Sequence, residues 1–148
     1  MSLRVRQEIQ AVPRGSDLTA RKVRVAAGLL IDAEGRLLIS DRTQAGAMQE
    51  FWEFPGGKLA DGESAEEALR RELLEELGVE ITSCVHLHSL EHDYPEMRVE
   101  IDFFLVRKWR GTPSGIEGQA LRWLRPAEIS SGMLLPADAP VLDFLQNL

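Results

Sequence analysis

Cysteine is nearly absent from this chain: Cys84 is the single one among 148 residues. An intrachain disulfide is therefore excluded, and a reduced, cytoplasmic setting is expected. Positive charge is also scarce. The 17 Lys and Arg stand against 24 Asp and Glu, for a net charge of −7. That balance argues against a surface built for polymeric nucleic acid, which draws phosphates with a basic patch. It leaves room for a small phosphorylated ligand, because a bound metal ion reverses the field locally. No apolar run approaches the roughly 18 residues that span a bilayer, and no charged-then-apolar leader pattern opens the chain, so no membrane association is expected. Histidine is limited to His86, His88 and His92. His86 and His88 share a strand face, but no cysteine or carboxylate partner stands at zinc spacing, so a zinc site is not expected.

What remains is an ordinary globular composition, 44% hydrophobic and 28% charged, in a length that suits one domain with a real core. Residues 1–20 are mixed and broken by Pro13, Gly15 and Ser16; they read as a loosely tied arm before a domain at 21–148. Lys22 to Ile31 is rich in Val, Leu and Ile and predicts a strand. Asp32-Ala33-Glu34-Gly35 signals a turn and Arg36 to Ser40 a returning strand, which together predict a hairpin. Phe51 to Phe54 reads as an aromatic strand stopped by Pro55-Gly56-Gly57. Ser64 to Leu77 is the clearest helix, with Ser64 and Glu67 spaced as a capping box and Gly78 at the C′ place. Strands are predicted near 82–91 and 98–109 around a turn at Tyr94-Pro95-Glu96, with a short strand at 121–124 and a helical turn at 126–129. Val141, Leu142 and Leu145 have helical spacing behind Pro140, predicting a helix over 140–148. The order of elements predicts an α/β (α+β) fold, a mixed β-sheet sandwiched between helices.

The central helix carries the chemistry. At roughly 100° per residue, positions i, i+3 and i+4 fall on one side of a helix, so Glu72, Glu75 and Glu76 share a single arc of about 100°. Leu69, Leu73 and Leu77 occupy the neighbouring arc. The three carboxylates thus stand beside the core-facing stripe. Such stacking costs about 0.2–0.5 kcal/mol per like-charged pair, and a divalent cation reverses its sign. Carboxylate oxygens are the hard ligands that Mg²⁺ prefers, with water and phosphate completing its octahedron. Gly56-Gly57 precedes the helix, and the Gly57 carbonyl is a further candidate ligand. Glu63 in the intervening loop and Arg71 on the helix are spaced to form an ion pair that pins the loop.

The stretch Gly57, Glu63, Arg71-Glu72-Leu73-Leu74-Glu75-Glu76-Leu77-Gly78-Val79 meets nine constrained positions over 23 residues. It resembles the box of the Nudix hydrolases. Leu38 to Gly57, Trp109 to Leu124 and Leu135 to Leu142 are similar to the MutT-type branch, so the likeness runs over roughly residues 22–148. The resemblance implies a Nudix fold and Mg²⁺-dependent hydrolysis, with Mn²⁺ as a substitute. The substrate implied is a nucleoside triphosphate, oxidised ones such as 8-oxo-dGTP included, cut to monophosphate and pyrophosphate in sanitation of the nucleotide pool. It implies Glu72, Glu75, Glu76 and Glu117 as metal ligands or base, with the Gly57 carbonyl beside them. Glu63, Arg71 and Gly78 would be structural in the motif. Arg42 matches a phosphate-contacting arginine, and Arg98 stands only near a second such position. Phe54, Tyr94 and Asp138 would form the base pocket. Asp138 departs from the Asn of enzymes specific for oxidised guanine and resembles relatives acting on CTP and modified pyrimidine nucleotides. A CTP-directed, nucleotide-sugar or dinucleotide hydrolase therefore stands as an alternative, as does a non-catalytic nucleotide-binding module. Intact carboxylates at all four positions speak against the last. A small-molecule partner is implied, with either a monomer or a homodimer compatible.

Overall fold

The computed structural model describes residues 22–42 and 48–145. The expected arm at 1–20 lies outside the described residues. The elements are β1 (Lys22–Leu30), β2 (Leu37–Asp41), β3 (Trp52–Glu53), β4 (Gly56–Lys58), α1 (Ala65–Leu77), β5 (Glu80–Tyr94), β6 (Met97–Arg110), β7 (Leu121–Leu124) and α2 (Val141–Leu145), with two 3₁₀ turns between β7 and α2. Four strands form a mixed sheet in the order β4-β1-β6-β5, and three form a second sheet in the order β3-β2-β7. β1 runs parallel to β6 and antiparallel to β4, and β5 and β6 form a long antiparallel hairpin.

β1 explains the layering. Val23, Val25, Ala27 and Leu29 enter one apolar cluster, and Ala26 and Leu30 enter another on the opposite face. A strand buried on both faces reads as an unbroken apolar run, as the stretch from Val25 to Leu30 does. One face is covered by α1 through Ala68, Leu69, Leu73 and Leu77. Each buried leucine contributes about 1.5–3 kcal/mol relative to exposure. The helix lies close to the sheet because Gly28 faces it: a Cβ there would come 3.2 Å from Leu69 Cδ1 and 3.3 Å from Leu73 Cδ1. The other face is covered by Leu134, Leu135 and Ala137 and by Val141, Leu142 and Leu145 of α2. The expected sandwich of a mixed sheet between helices is therefore observed. Among the described residues no helix is long and apolar enough to cross a membrane.

Two local expectations are corrected. The hairpin predicted over 22–40 does not form as a ladder; β1 and β2 belong to different sheets and meet only at the Ile31–Leu37 bridge. One edge of β1 is taken along its whole length by β6. The other is taken by β4 and by a bond from the Gly28 N–H to the Pro55 carbonyl. The intervening turn redirects the chain instead. The Asp32 carboxylate accepts from the Glu34 and Arg36 amides at 3.0 and 2.8 Å and from Arg36 Nε at 2.7 Å. The second correction concerns Pro55-Gly56-Gly57, expected to stop a strand. β3 is shorter than predicted, and Gly56–Lys58 is itself a strand. Gly56 has φ +154°, and a Cβ there would lie 2.0 Å from the Ala26 carbonyl oxygen. Only glycine brings the chain so near to β1.

Candidate active site

α1 begins as predicted. Ser64 Oγ accepts from the Glu67 amide at 3.1 Å, and Glu67 Oε1 accepts from the Ser64 amide at 2.9 Å. It ends at Gly78, whose φ of +72° lets its N–H return to the Leu73 and Leu74 carbonyls. Between these caps the helix presents its acidic residues to β4 and to the loop before it.

The loop is clamped by Arg71. Its Nε and Nη2 donate to the two Glu63 oxygens at 2.7 and 2.9 Å, and Nη2 also donates to the Lys58 carbonyl at 3.1 Å. This fork geometry is the one a guanidinium makes best. It holds the Glu63 carboxyl down at about 2, with the Ala60 N–H bond adding to the effect. Arg71 Nη1 turns the other way, to Glu72 Oε1 at 2.9 Å and Glu75 Oε2 at 3.5 Å.

The acidic arc divides into two populations. Glu72 and Glu76 are buried, at 1% and 2% exposure, whereas the Glu75 side chain is 51% exposed. Glu72 lies against Gly57, where a Cβ would fall 2.3 Å from its Cδ and 2.6 Å from both of its oxygens. Glycine at 57 is therefore a steric condition for the Glu72 position. Burial pushes the Glu76 carboxyl well above the usual range, and the charges of Glu72 and Glu53 act in the same direction.

Glu117 is half-buried on the loop that returns to the end of α1. Ser114 N–H donates to the Leu77 carbonyl at 3.0 Å and Ile116 N–H to the Glu76 carbonyl at 3.2 Å. The loop thus occupies carbonyls that a helix end otherwise leaves without partners.

The remaining predicted residues are spread more widely. Arg42 is 1% exposed, with Nε 3.7 Å from Glu53 Oε1 and Glu53 equally buried. Phe54 is wholly enclosed and meets Phe103 edge to face at 6.4 Å. Asp138 is also enclosed, and its Oδ2 accepts from the Phe54 amide at 3.1 Å. Tyr94 is half-buried at the end of β5 and packs against the cluster that contains Phe54. Arg98 is engaged by Asp93 at 2.7 Å and Glu91 at 3.4 Å, so its neighbours are acidic. His86 contacts Asp102 and Ser89, and His88 stacks on Phe144. A broad groove of about 820 Å³, lined in part by Thr82, Arg107 and Trp109, contains none of the site carboxylates.

Two residues without a role in the sequence reading are part of this structure. Glu53 adds a third buried glutamate, and Gln119 links Glu76 to the Glu117 loop. The only sign of Glu53 in the sequence is an acid between Trp52 and Phe54, in a strand too short to show alternation.

The donor set fits a divalent cation. Glu72 Oε2 and Glu76 Oε2 are buried with no hydrogen-bond partner among the described residues, a costly condition for a carboxylate oxygen, although Arg71 reaches the other oxygen of Glu72. Gly57 is buried in β4 with no side chain between its backbone and the Glu72 carboxylate. Among the described residues no group of three or more His, Cys, Asp or Glu side chains is placed to hold a metal ion, so the protein side of such a site would rest on the Glu72–Glu76 pair. An ion held here keeps positions for water and phosphate, which is the habit of Mg²⁺.

Residues 26–144 match the family described as the NUDIX domain. The chain is 43% identical over 90 residues to the 8-oxo-dGTP diphosphatase of Proteus vulgaris, covering 61% of this chain and 80% of that protein. It is 34% identical to the CTP pyrophosphohydrolase of Escherichia coli K12, over 80% of this chain and 88% of that one. The solution structure of the E. coli ORF135 protein superposes with a TM-score of 0.75 at 32% identity, covering 86% and 91% of the two chains.

Proposed function

The chain belongs to the Nudix family and is a hydrolase of nucleoside triphosphates, and from that premise we propose that it acts with Mg²⁺ on oxidised substrates such as 8-oxo-dGTP. The products are nucleoside monophosphate and pyrophosphate. The observation that carries this reading is the pair of buried, donor-less oxygens of Glu72 and Glu76 set against Gly57. When bound, Mg²⁺, or Mn²⁺ in its place, polarises the attacking water and neutralises charge on the phosphate oxygens.

Glu72, Glu76 and the Gly57 carbonyl would hold the ion, with Glu75 and Glu117 as the further carboxylates available to it. Glu117, half-buried on the loop bonded to the end of the helix, would serve as the base that accepts a proton from the water. Arg71 neutralises Glu72 and Glu75 and keeps the Gly57–Glu63 loop in place. Arg42 contacts a phosphate, which then shares the guanidinium with Glu53. Asp138, with Phe54 and Tyr94, selects the base. An ionised carboxylate only accepts hydrogen bonds, which suits the N7–H of 8-oxoguanine and equally the amino group of cytosine.

That last point favours a second reading, a CTP-directed enzyme, which the E. coli relative supports. The deciding experiment measures pyrophosphate release with Mg²⁺ from 8-oxo-dGTP, dGTP, CTP and dCTP, with Glu76→Gln as control. Preferential turnover of 8-oxo-dGTP supports the first reading, and faster turnover of cytidine nucleotides replaces it with the second. Equal rates on 8-oxo-dGTP and dGTP remove the sanitising role. Absence of turnover of any nucleotide by the unaltered protein refutes hydrolysis.

A further inference from the structure

We propose that Gln119 is a positioning residue that sets the separation of Glu117 from Glu76. Its side chain is buried at 8% exposure, and both ends are used. Nε2 donates to the Glu76 carbonyl at 3.1 Å, and Oε1 accepts from the Glu117 N–H at 2.9 Å. One amide thus spans the backbones of the two acidic residues, one on a rigid helix and one on a loop.

The surrounding loop is shaped to bring that amide inward. Gly118 has φ +87°, and its N–H closes a turn onto the Gly115 carbonyl at 3.0 Å. A Cβ on Gly115 would meet the Gln119 carbonyl oxygen at 2.0 Å. These contacts turn the chain sharply between Glu117 and Gln119, so that residue 119 points back toward the helix end. No other residue type does the same work. Asn is one methylene shorter, Glu loses the donor when ionised, and Leu loses both functions. The loop as a whole does not depend on Gln119, because the Ser114–Leu77 and Ile116–Glu76 backbone bonds attach it separately. Removing the amide therefore deletes the link between the Glu117 N–H and the Glu76 carbonyl and spares those two backbone bonds.

This inference rests on the role given above to Glu117, and the test separates the two. Mn²⁺ is titrated into the nucleotide-free protein and free Mn²⁺ is followed by its EPR signal, for wild type, Q119L, E117Q and the double variant. Hydrogen exchange at the Glu117 amide is recorded in parallel. Q119L is expected to weaken Mn²⁺ binding about five- to tenfold and to speed exchange at Glu117. On the E117Q background the same change is expected to cost less than twofold. If Q119L costs the same in both backgrounds, Gln119 acts only on general stability and the proposal is wrong. If Q119L binds Mn²⁺ as wild type does, the proposal is also wrong. If E117Q alone binds Mn²⁺ and turns over nucleotide as wild type does, it is the reading of Glu117 that fails, and positioning loses its object. Should Q119L not fold, Q119E serves, since it keeps the acceptor for Glu117 and gives up the donor to Glu76.

Discussion

Replacing Gly57 with alanine tests the geometry of the site directly. The added methyl would stand 2.3 Å from Glu72 Cδ, whereas ordinary contact is about 3.5 Å. Glu72 or β4 must therefore yield by about 1.2 Å along that line. Neither moves freely: Glu72 is 1% exposed and tied to Arg71, and β4 is hydrogen-bonded to β1. Overpacking of this kind costs about 1–3 kcal/mol, which lowers Tm by very roughly 2–12 °C in a chain of this size. A displacement of about 1 Å at reacting groups costs on the order of 100-fold in rate. Differential scanning calorimetry and pyrophosphate release are the two assays. Gly132→Ala is the control, because a Cβ there meets nothing within 4 Å, and its Tm is expected to stay within the shift that about 0.5 kcal/mol produces. G57A turning over within twofold of wild type would refute the claim that Gly57 makes room for a functional Glu72.

Three further outcomes are expected. Arg71 pulls the Glu63 carboxyl from 4.5 to about 2, so its contribution is complete above 4.5 and is lost as pH falls through about 2. The Ala60 amide, bonded to Glu63 Oε1 at 2.8 Å, should stay protected against exchange at pH 4 in the wild type and not in E63Q; release with a midpoint near 4.5 would contradict the clamp. Glu76 has the opposite sign. Its folded carboxyl is held above 4.5 by burial, so folding takes up a proton and stability falls as pH rises from about 4.5. Metal-free Glu76→Gln should therefore melt higher than wild type at pH 8, and a lower Tm would show that the charge is compensated. Asp138→Asn keeps an acceptor for the Phe54 amide and adds a donor, so base preference should shift while Mn²⁺ affinity stays unchanged; loss of metal binding would remove Asp138 from the base side.

The parts of the site legible in the sequence are those made by near neighbours in the chain. The Ser64–Glu67 cap, the Gly78 terminus and the Arg71–Glu63 clamp all close within eight residues, and each appears as predicted. Helical spacing also placed Glu72, Glu75 and Glu76 on one arc. It could not divide them, because burial depends on β4 lying over Glu72 and on the loop at 114–119 lying over the helix end. Strand partners were illegible for the same reason. The 22–40 segment has every local feature of a hairpin, yet a strand from much further along the chain takes the edge, with Lys22 opposite Arg98 and Leu30 opposite Val106. Arg42 is legible only as a match to a phosphate-contacting arginine and Glu53 only as part of a strand, because nothing nearby in sequence announces that they bury each other.

Gly28 has no chemistry, yet it sets the working distance of the reaction centre. It lies under Leu69 and Leu73, on the floor that α1 rests on, and Leu73 is the immediate neighbour of Glu72. A methyl at position 28 would meet Leu69 Cδ1 and Leu73 Cδ1 at 3.2 and 3.3 Å, so those side chains, or the helix that carries them, would have to give by a few tenths of an ångström. Where the helix gives, the carboxylates would rise with it, away from a strand that stays anchored to β1. The thickness of the layer between sheet and helix therefore acts as a calibration of the site, and drift in substrate or metal preference can begin in the apolar floor before any acidic residue changes.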